Sequence, residues 1–451
     1  MSRTRSKAAV SVGAILTASA LMLTGCTSSG TTSGSTANVS AADIDKAMNT
    51  PTTITFWSWL PDMQSEVNLF EKKYPKIHVS YQNAGQGATE YTKLRTVIKA
   101  GRGQPDATQI EFQYLPSFQS YLLDFTPYGF GSLKSQFVSS IWGQVAIDGG
   151  LYGIPQDYAP MGNLYRHDLF TAAGITQAPA TWDEYMADAK IIKAKTGNYI
   201  SDLPGNDGGQ FLSLMWQAGA RPFAYDGKKT VTVNIESPEA KKVVDYWNSM
   251  IKQGLVDTAP DFNNDWYQGF VSGKYAGWLV PAWGPDNLTG TVAKTSGDWT
   301  TAPLPQWDPS NPASSYWGGS SDAVLKTSKH PIVAAELVKF LNTGASALQM
   351  ATSPKQTLFP PTLAVQKNPA FVEQKSAFFN GQQVNKLYLD IAKTVDPKFG
   401  WLPYMDFVYS NYSTTLGKAI ADKTDLETGL AAWQAAVVAY GKQQGFTVKT
   451  N

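Results

Sequence analysis

The amino-acid sequence predicts an α/β protein of two lobes built on mainly parallel β-sheet. Three observations lead there. From residue 53 to 111 the apolar pattern runs strand, helix, strand, helix, strand, and strands joined by helices form a parallel sheet with right-handed crossovers. About 400 residues follow a leader and a polar tether, too many for one hydrophobic core and enough for two. A single cysteine in 451 residues rules out an internal disulfide, so stability rests on packing.

The elements read as follows. Residues 54–57 carry Ile54, Phe56 and Trp57, a short strand. Residues 61–74 place Val67, Leu69 and Phe70 among Glu and Lys, an amphipathic helix stopped by Pro75. Residues 77–81 alternate apolar and polar, hence strand. In 91–100, Leu94, Val97 and Ile98 share a helical face, and Gly101, Gly103 and Pro105 end it. Residues 107–110 form the next strand. Further strands are predicted over 152–155, 162–166, 275–280 and 322–325. Helices are predicted over 182–195, 210–217, 238–253, 265–271, 331–341, 409–421 and 426–444. There is no internal repeat and no coiled-coil heptad pattern.

Arg3, Arg5 and Lys7 precede an apolar run over 8–23 that is shorter than the ~20 residues of a membrane span. A secretory leader over 1–25 is the reading. Leu23-Thr24-Gly25-Cys26 resembles the bacterial lipobox, in which cleavage before the cysteine leaves a lipidated terminus; Cys26 is therefore the expected lipidation site. Residues 26–51 form a Ser/Thr/Gly-rich linker that cannot bury apolar surface, with folded protein beginning near Thr52. Lipid attachment puts the chain on the outer face of the cytoplasmic membrane.

Formal charge is +1, and losing the leader's three basic residues takes it to −2, which points away from nucleic acid or an anionic surface. Charged residues make up only 16 %, against 14 Trp, 21 Tyr and 20 Phe. Several tryptophans fall in loop-like sequence: Phe56-Trp57-Ser58-Trp59, Pro281-Ala282-Trp283-Gly284 and Ser315-Tyr316-Trp317-Gly318-Gly319. Loop aromatics line sites more often than they fill cores, and half or fewer of the fourteen are assigned to a ligand surface. In open parallel sheets ligands bind beyond the carboxyl ends of the strands. Those ends nominate Ser58, Trp59, Gln86, Glu111 and Phe112, and Trp57 of the same aromatic run joins them as a candidate ligand-binding residue.

Other chemistries lack their residues. His78, His167 and His330 have no metal-ligand spacing. Gly85-Gln86-Gly87 lacks the third glycine of a dinucleotide loop. Asp261, Asn263 and Asp265 alternate oxygen ligands without the glycine and distal glutamate of a calcium loop. No metal, cofactor or catalytic constellation is expected.

In order along the chain, Ile54-Thr55-Phe56-Trp57, Tyr91-Thr92-Lys93-Leu94, Gly103-Gln104-Pro105-Asp106, Gly153-Ile154-Pro155, Asp168-Leu169-Phe170 with Ala173-Gly174, and Trp317-Gly318-Gly319 resemble the extracellular solute-binding proteins of carbohydrate importers. The resemblance spans residues 54–445. It implies a two-lobed periplasmic-binding-protein-like fold, each lobe a mainly parallel sheet flanked by helices, with an oligosaccharide held in the interlobe cleft and delivered to the membrane permease subunits of an ABC importer. It implies crossings near 157–161, 317–321 and 359–369, hence lobes of 52–158 with 320–362 and of 159–319 with 363–451. A sugar presents apolar faces and hydroxyl edges, so its site needs flat aromatics and polar edge partners. Matching family positions implies Trp283 as the principal platform, then Trp59 and Tyr409, with Trp317, Trp401 and Tyr404 in loops or at a helix start. Edge contacts are assigned to Gln86, Glu111, Asp157 and Asn206. The chain is expected to be a monomer. The rival is an anchored glycoside hydrolase, for which Glu111 and Asp157 would have to converge across a glycosidic bond. A structural or adhesion lipoprotein would not need so many loop aromatics.

Overall fold

The computed structural model describes residues 38–353 and 358–450. The expected leader over 1–25, Cys26 and the tether to residue 37 lie outside the described residues. Folded structure begins earlier than Thr52. Helix Ala41–Met48 is closed by a capping box between Ser40 and Asp43, buries Met48 and lies against helix Pro331–Asn342. The linker expected over 26–51 therefore ends before residue 41, because Ile44 and Met48, four apart, give this short segment one apolar face.

The principal strands are β1 (Thr52–Trp57), β2 (Ile77–Gln82), β3 (Ala107–Glu111), β4 (Ile154–Pro155), β5 (Met161–Arg166), β6 (Gly277–Pro281), β7 (Trp299–Pro303) and β8 (Ser320–Val324). One sheet has the order β2-β1-β3-β8-β4. Its first three strands are parallel, with Thr52 opposite Ile77 and Phe56 opposite Ala107. Helices Met63–Lys73 and Ala88–Ala100 make the crossovers. β8 returns antiparallel, setting Ser320 opposite Glu111. The second sheet, β6-β5-β7, is antiparallel throughout, with Pro281 opposite Met161 and Pro303 opposite Gly162. The expectation of parallel pairing thus holds for β1–β3 and fails for the second sheet. Apolar periodicity reports burial, and β6 is buried along its whole length, but it does not encode strand direction.

Helices start and stop where local chemistry directs. Thr181 accepts from the Glu184 N–H ahead of Trp182–Thr196, which ends on Gly197 at φ 75°. Ser237 accepts from the Ala240 N–H, and Pro238 opens Pro238–Lys252, whose Val243, Val244, Trp247 and Ile251 form one buried stripe. The helix expected over 409–421 is two, Met405–Tyr412 and Leu416–Ala421. Between them the Thr414 and Thr415 hydroxyls bond the Asn411 carbonyl at 3.0 and 2.7 Å and compete with the helical ladder. Strand β7 and helices Gly344–Thr352 and Val384–Ala392 had no sequence prediction.

Six tryptophans (Trp182, Trp247, Trp266, Trp278, Trp299 and Trp433) are fully buried in the cores. The segments expected to cross between lobes run side by side. Gln156 N–H donates to Ser320 O (2.8 Å), Trp317 N–H to Ala159 O (3.1 Å), Met161 N–H to Ser315 O (2.9 Å) and Tyr158 N–H to Phe359 O (3.0 Å). Among the described residues no helix is long and apolar enough to cross a membrane, and no group of three or more His, Cys, Asp or Glu could hold a metal ion.

Candidate functional site

Glu111 ends β3, and the antiparallel return of β8 carries Trp317-Gly318-Gly319 across it. Gly318 and Gly319 adopt φ 82° and 100°, which side-chain residues rarely tolerate. The glycine backbone lets two sheets meet: a Cβ at Gly318 would lie 3.6 Å from both Glu111 Oε1 and Trp283 Nε1. Trp283 follows β6 of the second sheet and N-caps helix Gly284–Thr291. Its indole N–H donates to the Trp317 carbonyl at 3.1 Å, and the rings meet edge to face, 5.1 Å apart at 70°. Trp278 supports Trp283 at 5.6 Å and Phe262 flanks it at 6.1 Å.

Tyr91 and Gln113 hold Glu111. The Tyr91 hydroxyl donates to Oε2 (3.1 Å) while its oxygen accepts the Glu111 N–H (2.9 Å), and Gln113 Nε2 donates to Oε1 (3.0 Å). Burial pushes the Glu111 carboxyl up to about 7, against the pull of the Gln113 and Tyr91 bonds and with help from Asp207 and Asp157. Tyr114 lies 4.2 Å from Tyr91 and 5.7 Å from Tyr409. This aromatic row crosses from helix Ala88–Ala100 to helix Met405–Tyr412. A narrow pocket is lined by Ser213, Trp216, Tyr316, Trp317, Trp401 and Tyr409. Trp401 donates to Gln144 Oε1 at 2.8 Å and packs on Phe399 at 4.9 Å.

The structure therefore brings together Glu111, Trp283, Trp317, Trp401 and Tyr409 of the predicted residues, with Trp59 at the margin, 6.4 Å from Tyr91. Asp157 is close but its Oδ1 accepts the Ser320 N–H at 2.7 Å, closing the crossing; burial raises it to about 6. Asn206 is exposed and locked to Asp261, its Nδ2 donating at 2.7 Å. Gln86 is exposed in the loop after β2.

Four predicted residues are packed in the interior. Trp57 is a core residue, its indole N–H spent on Gln82 Oε1 at 3.2 Å. Ser58 is buried and its hydroxyl donates to Gln109 at 2.7 Å. Phe112 is buried beneath Gly319. Tyr404 is buried 5.5 Å from both Tyr440 and Phe446, in the packing of the last helix. Alternation sends neighbours to opposite faces, so a strand end nominates both the residue that faces the cleft and the one that faces the core.

Sequence reasoning passed over Tyr91, Tyr114, Trp216, Phe262 and Asp207. Asp207 caps helix Gly208–Gln217 by accepting from the Gly209 N–H at 2.6 Å, and burial raises its carboxyl. A cap signal was present in Asp207-Gly208-Gly209; the others become neighbours only through long-range packing.

Residues 57–347 match the family described as bacterial extracellular solute-binding protein. The ABC transporter associated binding protein from B. animalis subsp. lactis Bl-04, solved with β-1,6-galactobiose, has a TM-score of 0.81 and 31 % identity over 89 % of this chain and 100 % of that one. The galacto-N-biose-/lacto-N-biose I-binding protein of Bifidobacterium longum, solved with lacto-N-biose, gives 0.77 and 26 % over 88 % and 99 %. The arabinooligosaccharide-binding protein of Bacillus subtilis is 26 % identical over 319 residues, 66 % of this chain and 71 % of that protein. These likenesses cover two thirds to nine tenths of the chain and are to binding proteins, so the hydrolase alternative falls. The chain belongs to the bacterial extracellular solute-binding proteins: it acts outside the cytoplasm, and it is a binding protein rather than an enzyme.

Proposed function

We propose that this chain captures an oligosaccharide for an ABC importer and delivers it to the permease subunits as a monomer tethered to the outer face of the membrane through lipidated Cys26. The observation that carries the reading is the meeting of Trp283 and Glu111 at Gly318: a flat platform from one sheet beside a buried, hydrogen-bonded carboxyl from the other. Trp283, with Trp317, Trp401, Tyr409 and Trp59, supplies faces for sugar rings; Glu111, largely protonated below pH 7, has an edge group able to accept or donate to hydroxyls. The names of the similar proteins support an oligosaccharide of galactose- or arabinose-type units.

The lobes are assigned to 52–158 with 320–362 and to 159–319 with 363–451, hinged at the side-by-side crossings. The pocket between Trp317, Trp401 and Tyr409 is too narrow to admit a sugar ring, so a ligand enters by separation of the lobes and is enclosed by their return. Calorimetric titration of the mature protein with β-1,6-galactobiose, lacto-N-biose, lactose and arabinooligosaccharides tests the reading. Saturable binding without product formation is expected. Hydrolysis, or no binding across the panel, would overturn it.

A further inference from the structure

We propose that the turn at Asp261-Phe262 is a further sugar subsite, taking the ring next to the one on Trp283; the inference rests on the oligosaccharide reading above. Phe262 is 42 % exposed, one of few large apolar side chains among the described residues left so open. It is also the one aromatic among them with a left-handed backbone, at φ 56°. That conformation suits glycine or asparagine, and an aromatic held there signals a conformation imposed by its surroundings.

The surroundings do impose it. On one side the Asp261 N–H donates to Asn206 Oδ1 (3.2 Å) and Asp261 Oδ1 accepts from Asn206 Nδ2 (2.7 Å). On the other, Asn263 caps helix Asn264–Ser272 by accepting the Trp266 N–H at 3.0 Å, while its Nδ2 donates to Pro260 O at 2.7 Å. The turn is pinned at both ends, and the strained residue between them carries its ring toward the tryptophans of the site.

Phe262 lies 6.1 Å from Trp283 and 6.4 Å from Trp317, with Trp266 behind it at 5.2 Å. A ring serving only to fill the core would be covered, and this one is not. Beside it, Asp261 is buried, and its Oδ2 has no hydrogen-bond partner among the described residues. Burial, with Asp207 nearby, pushes this carboxyl up to about 8, and a buried carboxyl oxygen left unmatched is costly unless a ligand hydroxyl reaches it. An exposed ring next to an unpartnered carboxyl oxygen is the pairing a sugar needs, an apolar face for its C–H surface and a polar atom for one hydroxyl. The separation from Trp283 suits adjacent units of one chain.

The test uses the full mature protein with β-1,6-galactobiose, lacto-N-biose and arabinobiose, by calorimetry with thermal melting in parallel. Phe262→Gly removes the ring and the strain together, so the melting temperature holds or rises while affinity for the bound disaccharide falls tenfold or more. Phe262→Tyr keeps a face and retains affinity within about threefold, since a ring of the same shape buries the same area. Asp261→Asn lowers affinity at least fivefold with Phe262 intact. Unchanged affinity in Phe262→Gly, or a melting temperature that drops by more than about 5 °C with affinity preserved, overturns the subsite and makes Phe262 a packing residue. Unchanged affinity in Asp261→Asn overturns the role of its carboxyl. A wild-type protein that binds none of the three overturns the oligosaccharide reading, and the subsite with it.

Discussion

Trp283 is held by one hydrogen bond and three aromatic neighbours, yet it stays partly exposed at the place where the two sheets meet. Trp283→Ala is expected to cost about 2 kcal/mol or more in sugar affinity, as central aromatic anchors do, while circular dichroism shows the fold retained. Glu111 makes a second residue-scale prediction. Its carboxyl titrates at about 7 in the fold against an ordinary 4.5, so between those values the native state holds a proton that the unfolded chain has released. Stability from this group is fully present below about pH 4.5 and falls as pH rises toward 7. Buried Asp157, Asp322 and Glu90, raised by burial to about 6, 7 and 8, act in the same sense. Melting temperatures of the ligand-free protein should decline from pH 5 to pH 8, and Glu111→Gln should flatten that decline; an identical slope in the variant would exclude Glu111 as a source. Of these two residues the sequence made both legible, Glu111 as a strand end and Trp283 as a loop tryptophan, but not their meeting at Gly318.

At the scale of elements, local chemistry and packing divide the work. The helix Pro238–Lys252 illustrates the first: a serine cap, a proline at the first position and a stripe at helical spacing were all readable, and the expected span of 238–253 ends within a residue of the observed one. Ser237→Ala should lower stability by about 1 kcal/mol through the lost cap and leave sugar affinity untouched, read by denaturant unfolding beside calorimetry. Strand β7 illustrates the second. Its sequence, Trp-Thr-Thr-Ala-Pro, contains a terminal proline and modest apolarity, and it becomes a strand because β5 offers a free edge with Arg166 opposite Trp299. Edge pairing of this kind is decided by the partner strand. The same holds for helix Val384–Ala392, which packs against β5 and β7.

Across the whole molecule, the site is assembled from segments far apart in sequence. Trp401 bonds Gln144 across 257 positions, and Arg95 of helix Ala88–Ala100 pairs with Asp406 of helix Met405–Tyr412. Both links join the two proposed lobes, and both are polar side-chain contacts that can part without breaking a core. A ligand touching both lobes stabilises only their closed arrangement and so shifts the population toward it. Saturating sugar should lower the radius of gyration measured by small-angle scattering. It should also raise the stability of the fold by roughly 2.7 kcal/mol at a hundredfold excess over Kd. An unchanged radius at confirmed saturation would mean a rigid, preformed site.

By itself the sequence determined the class of protein: alternating strands and helices over 53–111, a lone cysteine, low charge and abundant loop aromatics. Each of these is a local or compositional property, set by side-chain periodicity, turn residues and residue usage. The tertiary structure decided the rest. It sorted Trp57 and Phe112 into the core and left Glu111 and Trp59 partly exposed, and it turned β6 and β7 antiparallel to β5. It also joined Asn206 to Asp261 and so exposed the ring of Phe262. These outcomes depend on contacts between residues tens to hundreds of positions apart, whose free energy is settled only when both partners are in place.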